Sequence, residues 1–289
     1  MKKTISFFIL VAIMYACGSV PITGRRQLSL VSDEEVLTLS LQEYNEYIKT
    51  AEKSTNKANT ELVQKVGQNI ANAVLTYYKA YGQEALLSGY SWEFNLIKDE
   101  QVNAFCMPGG KIVVYEGILP YTQTEAGLAV VLGHEVAHAI AKHANERMSQ
   151  QMAAQYGSAA LGALLSSKSE TVKTIGNTVF GLGAEYGVLL PYSRKQEHEA
   201  DQLGLIFMAI AGYDPSEAIP FWQRMSTQGG AVPEIMSTHP SDQNRIAEIQ
   251  NKYLPEAMEY YYAVKGITPP SGTGTQAPAN SKKDDKWSF

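Results

Sequence analysis

The feature that most constrains the fold is a pair of histidines in the segment His134-Glu135-Val136-Ala137-His138. On an α-helix, residues four positions apart lie on one face, so both imidazoles can reach a single metal ion. Glu135 lies about 100° further round the helix, beside such a metal but not bound to it. A general base acting on water at the metal must stand there. Small residues around the motif favour close packing of a buried helix: Ala129, Gly133, Ala137 and Ala141.

A third metal ligand is expected, because a catalytic zinc site has three protein ligands and one open position. The segment Glu197-His198-Glu199-Ala200-Asp201 supplies the candidates. Glu197 and Asp201 share a helix face, so one can bind the metal while the other accepts a hydrogen bond from a liganding histidine. The spacing favours Glu197 as the ligand and keeps Glu199 as the alternative. If it is not a ligand, Glu199 is expected to point away as a solvated or structural acid.

The chain begins with the features of a secretory signal. Two lysines precede an apolar run from Ile5 to Ala16, which is too short to span a bilayer comfortably. The run ends in Ala16-Cys17-Gly18, which resembles a bacterial lipobox, although the two residues before Ala16 depart from the strict pattern. We therefore predict a signal peptide over residues 1–16 and acylation of Cys17. The alternative is an ordinary secretory signal that is cut nearby.

The hydrophobic periodicity predicts a mostly helical chain with a small sheet. A capping box at Ser32 to Glu35 opens a helix that extends to about residue 50, and apolar residues four apart predict another helix over 61–80. Alternation from Trp92 to Leu96, together with two short apolar segments, predicts a small antiparallel sheet. The two segments are 102–106 and 111–115. Further helices are expected over 124–149, over 194–211, from 214, and from 241 to about 253.

The segments after the signal differ in composition. Residues 17–32 form a predicted lipidated leader, residues 33–263 form the domain with the metal-binding segments, and residues 264–289 are rich in Gly, Thr, Pro and Ser and form a predicted disordered tail. Within the domain, residues 151–191 are rich in Ala, Gly, Leu and Ser. This stretch is interpreted as a buried helical hairpin or, alternatively, as a surface that touches a membrane or a partner.

Charge and cysteine content exclude two classes of protein. The net charge is −5 and no Lys/Arg-rich run is present, which argues against nucleic acid as the partner. The chain has 2 cysteines, Cys17 and Cys106, too few for a disulfide-stapled scaffold. We interpret Cys106 as a small, buried, apolar residue.

Three segments in this order resemble one family: Asn103-Ala104-Phe105 with Pro108-Gly109-Gly110, then the His134–His138 motif, then Glu197–Asp201. The resemblance is to the gluzincin peptidases that include the prenyl-protein endopeptidases, HtpX, the mitochondrial Oma-type and the BepA-type peptidases, and it covers about residues 90–260. It implies a zincin-like α+β fold, mostly helical, with a small sheet over the metal helix. It also implies one Zn²⁺ per chain and selects Glu197 over Glu199 as the third ligand.

The same resemblance draws attention to Thr238-His239-Pro240 and to Arg245. In the family a His-Pro segment approaches the active site, where it can bind the metal as an inhibitory ligand or help to stabilise the oxyanion. We predict that His239 approaches the metal, with Arg245 as a further oxyanion candidate. His143 and His198 lie on other helix faces and are interpreted as ordinary histidines.

The resemblance implies a zinc-dependent endopeptidase that acts on polypeptides. With the predicted lipid anchor, it implies a bacterial envelope protein that faces the periplasm, with the outer membrane favoured, and cleaves misfolded or misassembled envelope proteins. The chain shows neither the transmembrane helices of HtpX nor the helical repeats of the BepA type, so we expect a stand-alone, lipid-anchored member. An extended substrate is expected to pair with the 109–115 strand as a sheet edge.

Two other functions fit the motifs. A periplasmic chaperone or assembly factor would carry a latent metal site, closed when His239 fills the fourth position. A metal-dependent hydrolase of non-peptide bonds would share the two histidines, but the surrounding residues do not favour it. Zinc content measured together with activity on an unfolded protein separates these hypotheses.

Overall fold

The computed structural model describes residues 17–20, 22–164, 193–227, 234–239 and 244–269. Within these ranges the protein is mostly helical with a small three-stranded sheet, which confirms the predicted α+β class. Several predicted features lie wholly or mostly outside the described residues: the signal peptide over 1–16, the segment 151–191, the helix start at 241 and the tail. No helix among the described residues is long and apolar enough to cross a membrane.

The predicted leader is part of the folded domain. Strand β1 (Cys17–Ser19) pairs antiparallel with β2 (Arg26–Leu28), and Val20 beside the turn is fully buried. The backbone N–H of Leu30 then donates a hydrogen bond to Ser149 Oγ at 2.9 Å. The hairpin is therefore held against the body of the protein.

Two helices follow the hairpin. Helix α1 (Asp33–Thr50) begins with the predicted capping box, in which Ser32 and Glu35 bond to each other's backbone N–H groups. Helix α2 (Lys57–Ala80) begins at the Asn56 cap, a turn earlier than the apolar period predicts. Its buried face packs against the two central helices described below.

The sheet consists of β3 (Glu93–Ile97), β4 (Ala104–Met107) and β5 (Lys111–Tyr115), in the order β3-β5-β4. The predicted antiparallel sheet is wrong for β3, which pairs parallel with β5. The segment between β3 and β4 crosses the end of β5, where the Tyr115 N–H donates to the Asn103 carbonyl at 3.1 Å. Because β5 lies in the centre of the sheet, it is not the predicted edge strand.

Helix α3 (Leu119–Thr122) leads into α4 (Glu125–Ile140), which is almost entirely buried. The prediction of a single helix over 124–149 is wrong. The helix is interrupted at Lys142, whose backbone has a left-handed φ of 57°. Helix α5 (His143–Leu164) begins directly after this break. The change of direction brings the start of α5 back towards the end of α4.

Helix α6 (Arg194–Ile210) crosses α4 at very short range. A Cβ atom added at Gly204 would lie 2.8 Å from both the Gly133 carbonyl carbon and the His134 backbone nitrogen. The two backbones are therefore in direct contact, and only glycine at both positions permits this approach.

Four further α-helices lie in the described part of the chain after α6. They are α7 (Ala218–Thr227), α8 (Glu234–Thr238), α9 (Arg245–Glu248) and α10 (Leu254–Lys265), with a π-helical stretch, Ile249–Tyr253, joining the last two. Helix α10 packs on α6. The predicted domain boundary at residue 263 falls inside the last turn of α10, which ends two residues later.

Candidate metal centre

Four buried side chains converge beside the crossing of α4 and α6. His134, His138, Glu197 and His239 each offer a ligand atom, and these atoms all lie within 4.8 Å of one another. His134 Nε2 is 3.1 Å from His138 Nε2 and 3.3 Å from His239 Nδ1, and His239 Nδ1 is 3.1 Å from Glu197 Oε1. The structure thus brings together the three sequence-predicted ligands and His239.

The four side chains come from three parts of the chain. His134 and His138 lie one turn apart on α4, and Glu197 lies in the first turn of α6. A capping box between Ser193 and Gln196 fixes the start of that helix. His239 follows the short helix α8, where its backbone N–H donates to the Ile235 carbonyl at 2.8 Å.

The donor set fits a divalent metal ion. Imidazole nitrogens and a carboxylate oxygen are the ligands that zinc and neighbouring transition metals accept. Glu197 Oε2 is buried and has no hydrogen-bond partner among the described residues. Burial alone would raise the pKa of Glu197, but the surrounding histidines hold that pKa well below its usual range. Arg245 Nη2 lies 3.6 Å from Glu197 Oε2, beyond hydrogen-bond distance, so a cation bound among the four donors would satisfy the buried carboxylate directly.

The protonation state of the His138 imidazole favours metal binding. Burial holds the pKa of His138 well below its ordinary value, so the ring is neutral, as a ligand must be. At His134 burial also lowers the pKa, but hydrogen bonds to Asp201 and Glu197 raise it to about 9 overall. A metal ion therefore competes with a proton at His134 and not at His138.

Glu135 stands beside the cluster and is not part of it. Its Oε1 lies 3.3 Å from His239 Nε2 and has no hydrogen-bond partner in the described part of the chain. A backbone hydrogen bond from Cys106 ties the carboxylate to β4, and burial raises the pKa of Glu135. Cys106 itself is buried and unpaired, as predicted.

A carboxylate and an arginine lie behind His134. Asp201 Oδ1 is 3.0 Å from His134 Nδ1, on the side of the ring away from the other ligands. Arg245 donates two hydrogen bonds to Asp201, at 2.8 and 2.7 Å, and its guanidinium lies 3.5 Å from the centre of the Trp222 ring. Arg245 Nη1 has no hydrogen-bond partner among the residues that the structure describes.

His143, interpreted above as an ordinary histidine, and Glu199 lie behind His138. His143 Nδ1 is 2.8 Å from His138 Nδ1, and His143 Nε2 is 2.8 Å from Glu199 Oε2. Glu199 is buried and bonded to His143 and Arg25, so of the two interpretations, a solvated or a structural acid, the structure supports the structural one. The helix break at Lys142 creates the His138–His143 contact, and no periodicity in the sequence indicates that break. His198 pairs with Glu248 at 3.1 Å and is not part of the cluster.

The fold and the cluster define a zincin-like metallopeptidase: two histidines one turn apart, an acid beside them and a carboxylate from a crossing helix. The chain belongs to peptidase family M48, whose model matches residues 59–253. The predicted family and the predicted metallopeptidase class are thereby confirmed.

Curated relatives agree with this assignment. The mitochondrial metalloendopeptidase OMA1 of Schizosaccharomyces pombe is 40% identical over 175 residues, which cover 60% of this chain and 49% of the relative. OMA1 of Saccharomyces cerevisiae is 32% identical over 251 residues, 83% of this chain and 70% of the relative. The beta-barrel assembly-enhancing protease of Escherichia coli is 26% identical over 188 residues, 61% and 39% of the two chains. The chain thus spans about half the length of the first of these relatives.

Replacing Asp201 by asparagine tests the support behind His134. Asp201→Asn removes the charge that holds both His134 and Arg245, so we expect metal affinity to fall by roughly 10–100-fold. The measurement is competition for Zn²⁺ with a chelating dye. Asp214→Asn is the matched control, because Asp214 is an exposed helix cap and asparagine caps equally well. Unchanged affinity in Asp201→Asn would contradict the expectation.

Proposed function

We propose that this chain is a zinc-dependent metalloendopeptidase that cleaves misfolded or misassembled proteins of the bacterial envelope. The observation that carries the proposal is the position of Glu135, buried beside four converging metal donors in a chain of peptidase family M48. In the proposal His134, His138 and Glu197 hold the zinc. The name of the E. coli relative refers to β-barrel assembly, which favours envelope proteins as substrates.

The proposed chemistry is hydrolysis with Glu135 as the general base. When bound, zinc supplies the Lewis acidity that lowers the pKa of water and polarises a carbonyl. Glu135 accepts a proton from the attacking water and delivers it to the leaving amine. Its raised pKa and its Oε1, which accepts no hydrogen bond from the described residues, suit this transfer.

The proposed substrate edge is β4, which replaces the β5 edge expected from the sequence. β4 pairs with β5 along one side only and is an edge of the described sheet. The Cys106 backbone in β4 bonds to Glu135, so a strand added to β4 lies against the base. We propose that an extended substrate pairs with β4 and presents its scissile bond to the cluster.

Arg245 and Asp201 are proposed to orient His134. The oxyanion role considered for Arg245 is less favoured by the geometry, because its guanidinium is held by Asp201 and Trp222 behind the His134 ring. The remaining donor, Nη1, is buried. We therefore assign Arg245 to holding Asp201 in place, which fixes the tautomer of His134.

His239 is proposed as a removable fourth ligand. Its Nδ1 faces Glu197 and His134, while its Nε2 faces Glu135. The ring therefore fills the space where water and a substrate carbonyl must enter. This same observation favours the second candidate function, a periplasmic chaperone or assembly factor whose metal site stays latent.

Replacing Glu135 by glutamine tests the enzymatic proposal. Glu135→Gln keeps the metal ligands and removes the base, so zinc content stays at one per chain while cleavage of unfolded casein falls by about 10²–10⁴-fold. Glu46→Gln, an exposed acid on α1, serves as the control. Wild-type zinc content with no cleavage by the unaltered protein would favour the chaperone. Full activity in Glu135→Gln would refute the assignment of the base.

Replacing His239 by alanine tests whether this side chain keeps the metal site closed and the protease inactive. If the closed state is favoured by ~1.4 kcal/mol, removing the fourth ligand raises casein cleavage about tenfold. His198→Ala is the matched control, since His198 lies outside the cluster. A fall in cleavage with unchanged zinc content would instead assign His239 to stabilising the transition state.

We also propose that Cys17 is acylated and anchors the chain to a membrane facing the periplasm, with the outer membrane favoured. The support is the apolar run of residues 5–16 before Cys17 and its lipobox-like ending. Mass spectrometry of the mature protein should find a diacylglyceryl-modified Cys17 as the first residue. An unmodified N-terminus at any other residue would rule out the anchor.

A further inference from the structure

A continuous line of polar contacts runs from the buried His138 to the half-buried Arg25 of the N-terminal hairpin. His138 Nδ1 contacts His143 Nδ1 at 2.8 Å, and His143 Nε2 contacts Glu199 Oε2 at 2.8 Å. Arg25, in the turn of the β1–β2 hairpin, donates from its Nε to Glu199 Oε2 at 2.7 Å. Thr23 donates a further hydrogen bond to Glu199 Oε1.

The charge on Glu199 sets the direction of every hydrogen bond in this line. Glu199 Oε2 accepts a hydrogen bond from the Arg25 guanidinium at 2.7 Å, and Glu199 Oε1 accepts one from the Thr23 hydroxyl, so both oxygens of this carboxylate act as acceptors. A carboxylate only accepts, so the proton of a neutral His143 lies on Nε2 and its Nδ1 is an acceptor. His138 must then carry its proton on Nδ1. The lone pair of His138 Nε2 consequently faces Glu197 and the other metal donors.

Arg25 is itself held in place by a second acid, Glu146. Its Nη1 and Nη2 donate to the two oxygens of Glu146 at 2.9 and 2.7 Å, and Gln196 Nε2 donates to Glu146 at 2.9 Å. The guanidinium thus bridges an acid on α5 and an acid on α6. The fork geometry of arginine makes this bridge possible, because lysine has a single charged nitrogen.

We propose that Arg25, Glu199 and His143 are positioning residues that fix the tautomer and orientation of His138, so that metal retention depends on the N-terminal hairpin. The inference rests on the proposed metal site and adds a control over it. His134 has the same kind of support in Asp201 and Arg245, an acid held by an arginine. The His138 branch differs because its arginine belongs to the hairpin, eight residues after Cys17.

The consequence is that detaching the hairpin from Glu199 should lower the affinity of the site for its metal ion. Without Arg25, Glu199 becomes a buried anion with fewer donors, and its hold on His143 weakens. His138 then loses the partner that keeps Nε2 unprotonated and aimed at the other donors. Changes to such supporting residues typically cost 10–100-fold in metal affinity.

The test measures metal binding and not catalysis. Zn²⁺ affinity is determined on the full chain by competition with a chelating dye, and the absorption spectrum of the Co²⁺-loaded protein reports the ligand geometry. We expect Arg25→Ala and Glu199→Gln to weaken Zn²⁺ binding by about 10–100-fold and to alter the Co²⁺ spectrum. Arg25→Lys keeps the positive charge but can bond to only one of the two acids, Glu199 and Glu146. Its Zn²⁺ affinity should therefore lie between those of Arg25→Ala and the unaltered protein.

Arg26→Ala is the matched control, because Arg26 is an exposed arginine in the same hairpin. It should leave both the affinity and the spectrum unchanged. If Arg25→Ala does not fold, the comparison of Glu199→Gln and Arg25→Lys with Arg26→Ala decides the question. Wild-type affinity and spectrum in those variants, with folding confirmed by circular dichroism, would overturn the inference. His134→Ala separates the two levels: if it too retains Zn²⁺, the proposed metal site itself is wrong.

Discussion

The direct contact between α4 and α6 is the constraint on which the site depends. An added Cβ at Gly133 would lie 2.7 Å from the Gly204 carbonyl oxygen, so a larger residue would force the helices apart. Glu197, Asp201 and Gly204 follow one another at positions i, i+4 and i+7 and therefore share one face of α6. The face that touches α4 is thus also the face that carries the acids. Separating the helices by the width of a methyl group would move both acids away from their histidines.

Such a site buries many charges, and each one needs a partner. Glu135, Glu197, Glu199 and Asp201 are all at least 95% buried. An unpaired buried carboxylate costs several kcal/mol, and removing one member of a buried pair costs ~3–5 kcal/mol. Arg245 compensates Asp201, and Arg25 compensates Glu199. Glu197 Oε2 lies 3.6 Å from Arg245 Nη2, which already serves Asp201, so Glu197 and Glu135 share their compensation between this arginine, the histidines and the metal that we propose.

The parts of this site that lie within one helix can be predicted from the sequence, and the parts that depend on tertiary contacts cannot. Spacing of four places His134 with His138 and Glu197 with Asp201, because both pairs lie within single helices. His239 lies in another part of the chain, so only the family resemblance pointed to it. Arg25 could not be found, since its role depends on the tertiary contact of a segment interpreted as a leader. The parallel pairing of β3 was missed for the same reason, because a crossover and not a turn sets its direction.

The position of His239 links this proposed removable ligand to β4, the proposed substrate edge. Helix α8, which precedes His239, is joined to the start of β4 by a hydrogen bond from the Ile235 N–H to the Val102 carbonyl at 3.1 Å. Val102 lies two residues before β4, the strand on which we propose that substrates pair. A substrate strand that shifts this end of β4 therefore also shifts α8 and the histidine behind it. The other three donors, by contrast, lie on the long helices α4 and α6, which are in backbone contact at Gly133 and Gly204. These donors are His134, His138 and Glu197. If a metal is bound, these three donors would hold it from the two crossing helices, and a substrate strand on β4 would draw His239 away from Glu135 through its link to α8.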